Sequence, residues 1–283
     1  MSGPYDWQLP GGRLDLTQRG LIVGILNVTP DSFSDGGQFL DAEKAAARAL
    51  EMERAGAGMI DVGGESTRPG AEPVPLAEEI ARVIPVIRKI RETSAVRVSI
   101  DTTKAAVAAA ALEAGADVVN DITALRGDPD MPRVVAGSDC GIVLMHMRGT
   151  PRTMQQAPHY ANVVEEVRDF LRQRITAAVE MGIEPMRLVV DPGIGFGKTP
   201  EHNRQLLARL DAFGELRRPL YVGFSRKSFL KSLAGAESLE DRHWPGVALT
   251  SYCRERGARI FRVHDPKPHA QALRMTEAIL AHG

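Results

Sequence analysis

The fold is decided by the stretch ERAGAGMIDVGG, residues 53–64, because its pattern occurs twice more along the chain. The other copies are LEAGADVVNDI, residues 112–122, and RERGARIFRVHD, residues 254–265. Each copy has a helical pattern, a Gly-Ala step, an apolar run and then a polar residue. The glycine predicts a helix that ends in a left-handed conformation, and the apolar run predicts a buried strand directly after it.

Further copies of this unit complete a barrel. A looser copy, EMGIEPMRLVVDPG, covers residues 180–193, and four other apolar runs predict strands at residues 21–27, 96–101, 141–146 and 219–225. Helical patterns lie between them, at residues 41–55, 76–92, 161–181 and 200–213. Eight strands that alternate with helices predict an α/β protein with a single (β/α)8 TIM barrel. A doubly wound open sheet is the main competitor, but it usually has fewer strands and a glycine-rich first turn.

Length and composition fit one barrel domain. The chain has 283 residues, 43% hydrophobic and 25% charged, with a formal net charge of −1. This balance gives no indication of a nucleic-acid or membrane partner. We assign residues 21–283 to the barrel and residues 1–20 to an N-terminal extension, in which the turn residues Gly11 and Gly12 predict a small hairpin over the barrel floor.

The N-terminus and the cysteines predict a cytoplasmic protein. The first residues have neither the basic nor the apolar region of a secretory signal. The two cysteines, Cys140 and Cys253, lack zinc-like spacing. A disulfide between them stays open, but two reduced thiols are the better expectation in that compartment.

A polar residue stands at the C-terminal end of every predicted strand. These residues are Asn27, Asp61, Asp101, Asn120 with Asp121, His146, Asp191, Ser225 to Lys227, and Arg262 to His264. One acidic residue after a strand is often a helix N-cap, and this alternative stays open for Asp61 and Asp121. Asn120 by itself could be a turn residue. Eight such ends together predict one active site at the C-terminal mouth of the barrel.

Two long segments, residues 28–37 and 63–70, predict lids or binding loops. Both are rich in Gly, Pro, Ser and Asp, and Phe33, Arg68 and Pro69 are groups that they offer to a ligand. A third segment, residues 191–199, resembles a nucleotide-binding loop, but Pro192 stands where the phosphate-binding motif requires glycine. Lys198 stands where a dinucleotide fingerprint requires one. We expect instead that its backbone and Phe196 approach a flat ligand.

The charges at the mouth predict an anionic, heteroaromatic ligand. The basic residues there are Arg68, Lys198, Arg226, Lys227, Arg262 and His264. Their clustering in a near-neutral chain indicates a phosphate or diphosphate site. Asp101, Asn120 and Asp191 can form in-plane hydrogen bonds with an amino-pyrimidine edge. These patterns do not name a reaction.

These segments resemble the dihydropteroate synthase family of pterin-binding barrels. Residues 24–37 resemble the first family signature and residues 61–70 the second. Shorter motifs follow in the family's order, at residues 99–102, 120–122, 145–147, 191–198, 225–228 and 262–264. The resemblance covers the chain from about Leu21 to its end.

The resemblance implies an enzyme that joins 6-hydroxymethyl-7,8-dihydropterin diphosphate to p-aminobenzoate in an SN1-like reaction that releases diphosphate, and a target for sulfonamides. The pterin site would contain Asp101, Asn120, Met145, Asp191 and Lys227. Diphosphate would contact Arg262 and His264, with Mg²⁺ as cofactor on Asn27. The p-aminobenzoate pocket would contain Phe33, Thr67, Arg68, Pro69, Phe196, Lys227 and Ser228. Catalysis would depend on Asp35, Arg68, Asp101, Lys227, Arg262 and His264, with Asp35 and Arg68 ordering the two long loops.

Two other functions are compatible with such a barrel. One is a pterin-binding methyltransferase domain for methyl-tetrahydrofolate, which would not need the two long loops and works with a corrinoid partner. The other is a catalytically silent pterin-binding paralogue, which would lack Asp35, Arg68, Lys227 or Arg262; all four are present. The family also implies a homodimer. His243, Trp244 and Pro245 depart from the family's small residues at the dimer surface, so the departure bears on dimer geometry.

Overall fold

The computed structural model describes residues 5–28, 37–67 and 70–282, in which strands and helices alternate along the chain. Their order is β1 (Asp6–Leu9), β2 (Gly12–Asp15), β3 (Leu21–Asn27), α1 (Gly37–Arg54), β4 (Met59–Gly63), α2 (Leu76–Thr93), β5 (Arg97–Asp101), α3 (Ala105–Glu113), β6 (Val118–Asp121), α4 (Met131–Ala136), β7 (Gly141–Met145), α5 (Val163–Glu180), β8 (Leu188–Asp191), α6 (Pro200–Ala208), β9 (Leu220–Gly223), α7 (Phe229–Ala234), α8 (His243–Glu255), β10 (Ala258–Val263) and α9 (Pro266–Leu280).

Strands β3 to β10 form the predicted closed barrel. Each strand pairs in parallel with the next, and β10 closes the ring by pairing with both β9 and β3. The predicted strand at residues 21–27 coincides with β3, while the other three apolar runs were one to three residues too long. Helix α6 ends before Phe213, because residues 210–216 form a 3₁₀ segment instead of continuing the predicted α-helix.

The repeated Gly-Ala step ends helices as predicted. Gly56, Gly115 and Gly257 follow α1, α3 and α8 with φ angles of +103°, +107° and +98°. Residues with a Cβ rarely adopt such angles, so glycine lets the chain leave each helix and enter the next strand within three residues. The pattern that decided the fold therefore acts through backbone conformation.

The barrel's register sets which side chains share one layer of its interior. Asn27 is paired with Gly63, Gly63 with Asp101, and Asp101 with Asn120. Because side chains alternate along a strand, residues at the same register level point to the same side of the sheet. The strand ends that carry polar residues are thus brought to one mouth.

The opposite end of the barrel is closed by an antiparallel hairpin of β1 and β2. Trp7 of this hairpin is fully buried, and its indole Nε1 donates a hydrogen bond to the carbonyl oxygen of Arg187 at 2.9 Å. It packs in an apolar cluster with Leu9, Leu16 and interior residues of the barrel such as Val143. The predicted hairpin over the barrel floor is confirmed.

No helix in the described part of the chain combines the length and apolar character needed to cross a membrane.

Candidate active site

Four polar side chains from four strands meet at the centre of the mouth. Nε of Arg262 donates to Oδ2 of Asp61 and Nη2 donates to Oδ2 of Asp101, each at 2.6 Å. Nδ2 of Asn120 donates to the same oxygen of Asp61 at 3.1 Å. Asp61 is fully buried and Arg262 is mostly so. Arg262 lies in an apolar run between Phe261 and Val263, where an unpaired charge would be costly to bury, and it has two partners.

The buried charges in this group perturb one another. Burial raises the pKa of Asp101 to about 7, although the Arg262 guanidinium opposes the change. Burial alone would lower the pKa of Arg262, but the carboxylates of Asp61 and Asp101 raise it above its usual value. Arg262 thus stays charged, while Asp101 changes its charge near neutral pH. A carboxyl with a perturbed pKa in a cleft is a common mark of a functional site.

A second group lies beside the first. A Cβ atom at Gly223 would stand 3.6 Å from Cβ of Arg262 and 3.9 Å from Nζ of Lys227, so both side chains flank this glycine. Nζ of Lys227 also lies 4.4 Å from the ring centre of Phe196. Burial lowers the pKa of Lys227 to about 8, although the Asp191 carboxylate opposes this change. Burial likewise raises the pKa of Asp191, which Lys227 opposes.

An apolar cluster next to Asp191 forms one wall of the site. Met145 is buried in a cluster with Ile122, Met147 and Met154, and Phe196 packs against this cluster. Met145 is also paired with Asp191 in the register of β7 and β8. A flat ring can contact this wall while its polar edge faces Asp191 and Lys227.

Asn27 lies at the same mouth, next to a glycine that keeps space open. A Cβ atom at Gly63 would be 3.8 Å from Oδ1 of Asn27 and 3.8 Å from Oδ2 of Asp101. Any larger side chain at this position would fill the space between the two oxygens. Asn27 is only partly buried.

The ends of β9 and β10 add further predicted residues. Nδ1 of His264 is 3.0 Å from Oγ of Ser225, which joins the loops that follow the two strands. Ser228 is exposed just before α7. Both residues therefore stand on the rim, next to the strands that carry Arg262 and Lys227.

Thr67 lines a cavity of about 350 Å³ that also reaches Asp101. The base of its loop is held by two ion pairs. Lys104 forms ion pairs with Glu65 and with the buried Glu79. Phe33, Arg68 and Pro69, predicted for the same pocket, and Asp35, predicted to help order the two long loops, lie outside the described residues.

Three polar residues at the mouth have structural contacts instead of facing the pocket. Lys198 was predicted to bind an anion, and this is wrong: it is buried, with Nζ 2.8 Å from the carbonyl oxygen of Gly193 and 2.9 Å from that of Phe196. His146 is buried beside it, and burial lowers the pKa of His146 to about 2. Oδ2 of Asp121 accepts the backbone N–H of Leu125 at 2.8 Å, so Asp121 holds a turn. The alternative of a helix N-cap at Asp121 is wrong, because residues 122–125 form a turn and no helix starts there.

Asp61 is the main pocket residue that the sequence reasoning left undecided. Its strand alternates Met59, Asp61 and Gly63, and Gly63 is paired with Asp101. The parity of this alternation places Asp61 on the interior side, below Asp101. The alternation can be read from the sequence, but it places Asp61 inside the barrel only when the strand register is known.

Known proteins are similar to this chain in sequence and in fold. A family model described as "Pterin binding enzyme" matches residues 23–264. The dihydropteroate synthase of Synechocystis sp. (strain ATCC 27184 / PCC 6803 / Kazusa) is 43% identical over 281 residues, which cover 99% of this chain and 97% of that protein. The structure of the Xanthomonas albilineans enzyme with 4-aminobenzoic acid has a TM-score of 0.91 and 45% identity, and the match covers 99% of both chains. The Burkholderia cenocepacia enzyme complexed with 7,8-dihydropteroate has a TM-score of 0.89 and 42% identity, covering 100% of this chain and 99% of that one.

The barrel, its polar mouth and the matching family model together define a pterin-binding enzyme. Within that class the relatives are specific over nearly the full length of the chain. The chain belongs to the dihydropteroate synthase family, and it is therefore a transferase of folate biosynthesis. The family predicted from the sequence motifs is confirmed.

Proposed function

We propose that this enzyme condenses 6-hydroxymethyl-7,8-dihydropterin diphosphate with p-aminobenzoate to give 7,8-dihydropteroate and diphosphate. The observation that carries the proposal is the hydrogen-bonded group of Asp61, Arg262, Asp101 and Asn120, which lies beside Lys227 and Asp191. It combines hydrogen-bonding groups suited to a pterin edge with cations suited to a diphosphate. The relatives described above with 4-aminobenzoic acid and with 7,8-dihydropteroate support p-aminobenzoate as a substrate and 7,8-dihydropteroate as the product.

The pterin would bind through its polar edge at the floor of the pocket. Asn120 and Asp191 would hydrogen-bond to its amino-pyrimidine groups, and Lys227 would donate to its carbonyl oxygen or to a ring nitrogen. Met145 would pack against one face of the ring. Arg262 is already oriented by two carboxylates, so it would meet the ligand without having to reorganise.

The diphosphate would leave toward the cationic rim. The bond between the pterin methylene carbon and the bridging oxygen breaks, and the electron pair stays with the diphosphate. Arg262 and His264 would stabilise the charge that develops on the leaving oxygens. The remaining pterin cation is delocalised over its ring, and the Asp101 carboxylate would stabilise it in a buried site where water screens the interaction little.

The arylamine would then attack the methylene carbon with its nitrogen lone pair, and the N–H proton would be lost after the C–N bond has formed. An arylamine is neutral and already nucleophilic, so this step needs no covalent enzyme intermediate. Thr67, Phe196 and Ser228 would line its pocket. Phe33, Arg68 and Pro69 would complete it, and Asp35 would help Arg68 to order the loops that exclude water.

Mg²⁺ fits this site through oxygen ligands. Among residues 5–28, 37–67 and 70–282, no three His, Cys, Asp or Glu side chains are grouped to hold a metal ion. Mg²⁺ commonly uses one or two protein oxygens together with substrate phosphates and water, and the open space between Asn27 and Asp101 suits this pattern. Asn27 would be its protein ligand. The ion would neutralise charge on the diphosphate.

The direct test is an assay of diphosphate release with the pterin diphosphate and Mg²⁺, with and without p-aminobenzoate. We expect release that depends on the arylamine, together with formation of dihydropteroate. A catalytically silent paralogue would bind the pterin without releasing diphosphate. A methyltransferase would use methyl-tetrahydrofolate instead, and either result contradicts the proposal.

We also propose a cytoplasmic homodimer formed through α8 and α9. These helices pack against each other and expose large apolar side chains: Trp244 is 70% exposed, Met275 66% and Ile279 65%. Apolar side chains clustered in this way often mark a protein interface. His243 and Trp244 form the first turn of α8, so the departure from small residues lies on this surface. Sedimentation should show a dimer that Ile279→Asp dissociates; a monomeric wild type contradicts the proposal.

A further inference from the structure

Lys198 is a buried cation that has no role in the proposed reaction. It follows the glycine loop, which we define as residues 192–197. Its Nζ donates to the carbonyl oxygens of Gly193 and Phe196 at 2.8 and 2.9 Å, and it lies 3.0 Å from Nδ1 of His146. Burial lowers the pKa of Lys198 well below its usual value. The contacts with Gly193, Phe196 and His146 use the three N–H donors of the Lys198 ammonium within the protein.

The glycine loop packs too closely on the segment after β7 to rearrange freely. A Cβ atom at Gly193 would be 1.9 Å from the carbonyl oxygen of His146, and one at Gly197 would be 2.6 Å from that of Arg148. Both glycines have positive φ, at +66° and +63°. The buried carbonyl oxygen of Gly193 accepts from Lys198 and from the backbone N–H of Phe196, and Lys198 also donates to the carbonyl oxygen of Phe196.

The glycine loop in turn presents two groups to Lys227. The carbonyl oxygen of Ile194 accepts a hydrogen bond from Nζ of Lys227, and the Phe196 ring centre lies 4.4 Å from the same atom. A Cβ atom at Gly195 would be 2.9 Å from Cδ of Lys227, so the backbone approaches this side chain directly. The position of the Lys227 ammonium therefore depends on the loop's shape.

From this geometry we infer that Lys198 is a positioning residue: it holds the glycine loop in the shape that sets Ile194 and Phe196 against Lys227, and so shapes the arylamine side of the pocket. The inference rests on the proposed function, because it uses the roles given there to Phe196 and Lys227. Lys198 itself touches neither substrate. It acts through backbone carbonyl groups, a role distinct from the anion binding predicted for it from the sequence.

The test is Lys198→Met, which keeps the length of the side chain and removes its donors. The matched control is Lys267→Met, at an exposed lysine of α9. Because the loop loses the hydrogen bonds that hold its shape, we expect the KM for p-aminobenzoate to rise about tenfold or more. We expect the alkaline limb of kcat/KM to move to higher pH as well, because a loosened loop lets water reach Lys227. A rise in KM below about threefold, or an alkaline limb that does not move, overturns the inference.

Two more variants keep the inference testable if Lys198→Met does not fold. Lys198→Gln keeps two N–H donors and should give an intermediate change in both readouts. Tyr160→Phe removes another anchor of the loop, the 2.8 Å hydrogen bond from the Tyr160 hydroxyl to the Gly197 carbonyl oxygen, and should give a smaller change in the same direction. If Lys198→Met does not fold, unchanged readouts in both variants overturn the inference.

Wild-type turnover is measured first. An inactive wild type contradicts the proposed function, whereas an active wild type with unaltered Lys198 variants contradicts only the positioning role.

Discussion

The two ends of the barrel are built from opposite chemistry. At the floor, Trp7 and its apolar neighbours fill the space beneath the strands, and the one polar atom of the indole is hydrogen-bonded. At the mouth, Asp61, Asp101 and Arg262 are buried as charges. Burial of apolar surface stabilises a fold, whereas burial of charge is stabilising only when pairing offsets the loss of hydration. The comparison predicts that changes at the mouth affect chemistry first, and changes at the floor affect stability first.

The largest effects on turnover should come from Asp101→Asn and Arg262→Ala. Loss of the carboxylate beside the developing pterin cation should lower kcat by about 10³-fold or more. The folded-state pKa of about 7 lies above the ordinary value of 3.8, so charging Asp101 as the pH rises from about 4 to 7 destabilises the native protein. Thermal unfolding at pH 8 should therefore show a variant at least as stable as the wild type. A variant with near-normal turnover would break the comparison.

Arg262→Ala should abolish turnover and also affect stability, which makes it the strictest test at the mouth. It removes the partner of both Asp61 and Asp101, and breaking a buried ion pair costs about 3–5 kcal/mol. We expect a folded protein by circular dichroism, with a lower midpoint of urea unfolding. The double variant Arg262→Ala with Asp101→Asn should recover part of that stability and none of the activity. If stability is not recovered, the two charges do not interact as the geometry indicates.

Trp7→Ala tests the floor. It leaves a large cavity in the apolar cluster and should lower the free energy of unfolding by about 3–5 kcal/mol. The Michaelis constants and kcat of the folded fraction should stay within about twofold of wild type, because Trp7 lies at the end of the barrel opposite the mouth. Exposed Trp244 provides a matched control, since Trp244→Ala should change the unfolding free energy of the protomer little. A large loss of kcat in Trp7→Ala would mean that the two ends are coupled.

The smallest expected effect is a change in the pH dependence of kcat/KM. Asp101 must be ionised and Lys227 protonated, so kcat/KM should rise with an apparent pKa near 7 and fall with one near 8. Lys227→Arg should lower the rate, but its charge does not titrate in this range, so the falling limb should move to higher pH. The profile is measured from steady-state rates between pH 5 and about 10 in buffers of constant ionic strength. A falling limb that stays near 8 in the variant would assign it to another group.

The sequence predicted the barrel well because its signal is local. A helix end, a glycine and a buried strand are adjacent in the chain, and Gly56, Gly115 and Gly257 adopt the predicted left-handed conformation. Polar residues at strand ends predicted the mouth for the same reason. Asn27, Asp101, Asn120, Asp191, Lys227 and Arg262 are all brought there.

The direction of each side chain was harder to predict. Lys198 and Lys227 each follow a barrel strand and are both basic, yet Lys198 is turned into backbone carbonyl groups and Lys227 faces Asp191 and Phe196. Asp61 and Asp121 are both acidic strand residues, and the first holds Arg262 while the second caps a turn. Register and loop shape decide these differences, and both depend on contacts far apart in sequence.

Closure of the barrel by β10 has a consequence for how the chain is made. During synthesis the hairpin and β3 emerge from the ribosome before the rest of the barrel, and the last partner of β3, strand β10, emerges more than 230 residues later. Until then β3 has one unpaired edge and the floor cluster lacks Ile260, so the nascent chain carries exposed apolar surface while the rest of the barrel is synthesised. A chain that ends before β10 keeps two unpaired strand edges, at β3 and β9, and such edges make it a substrate for chaperones and proteases.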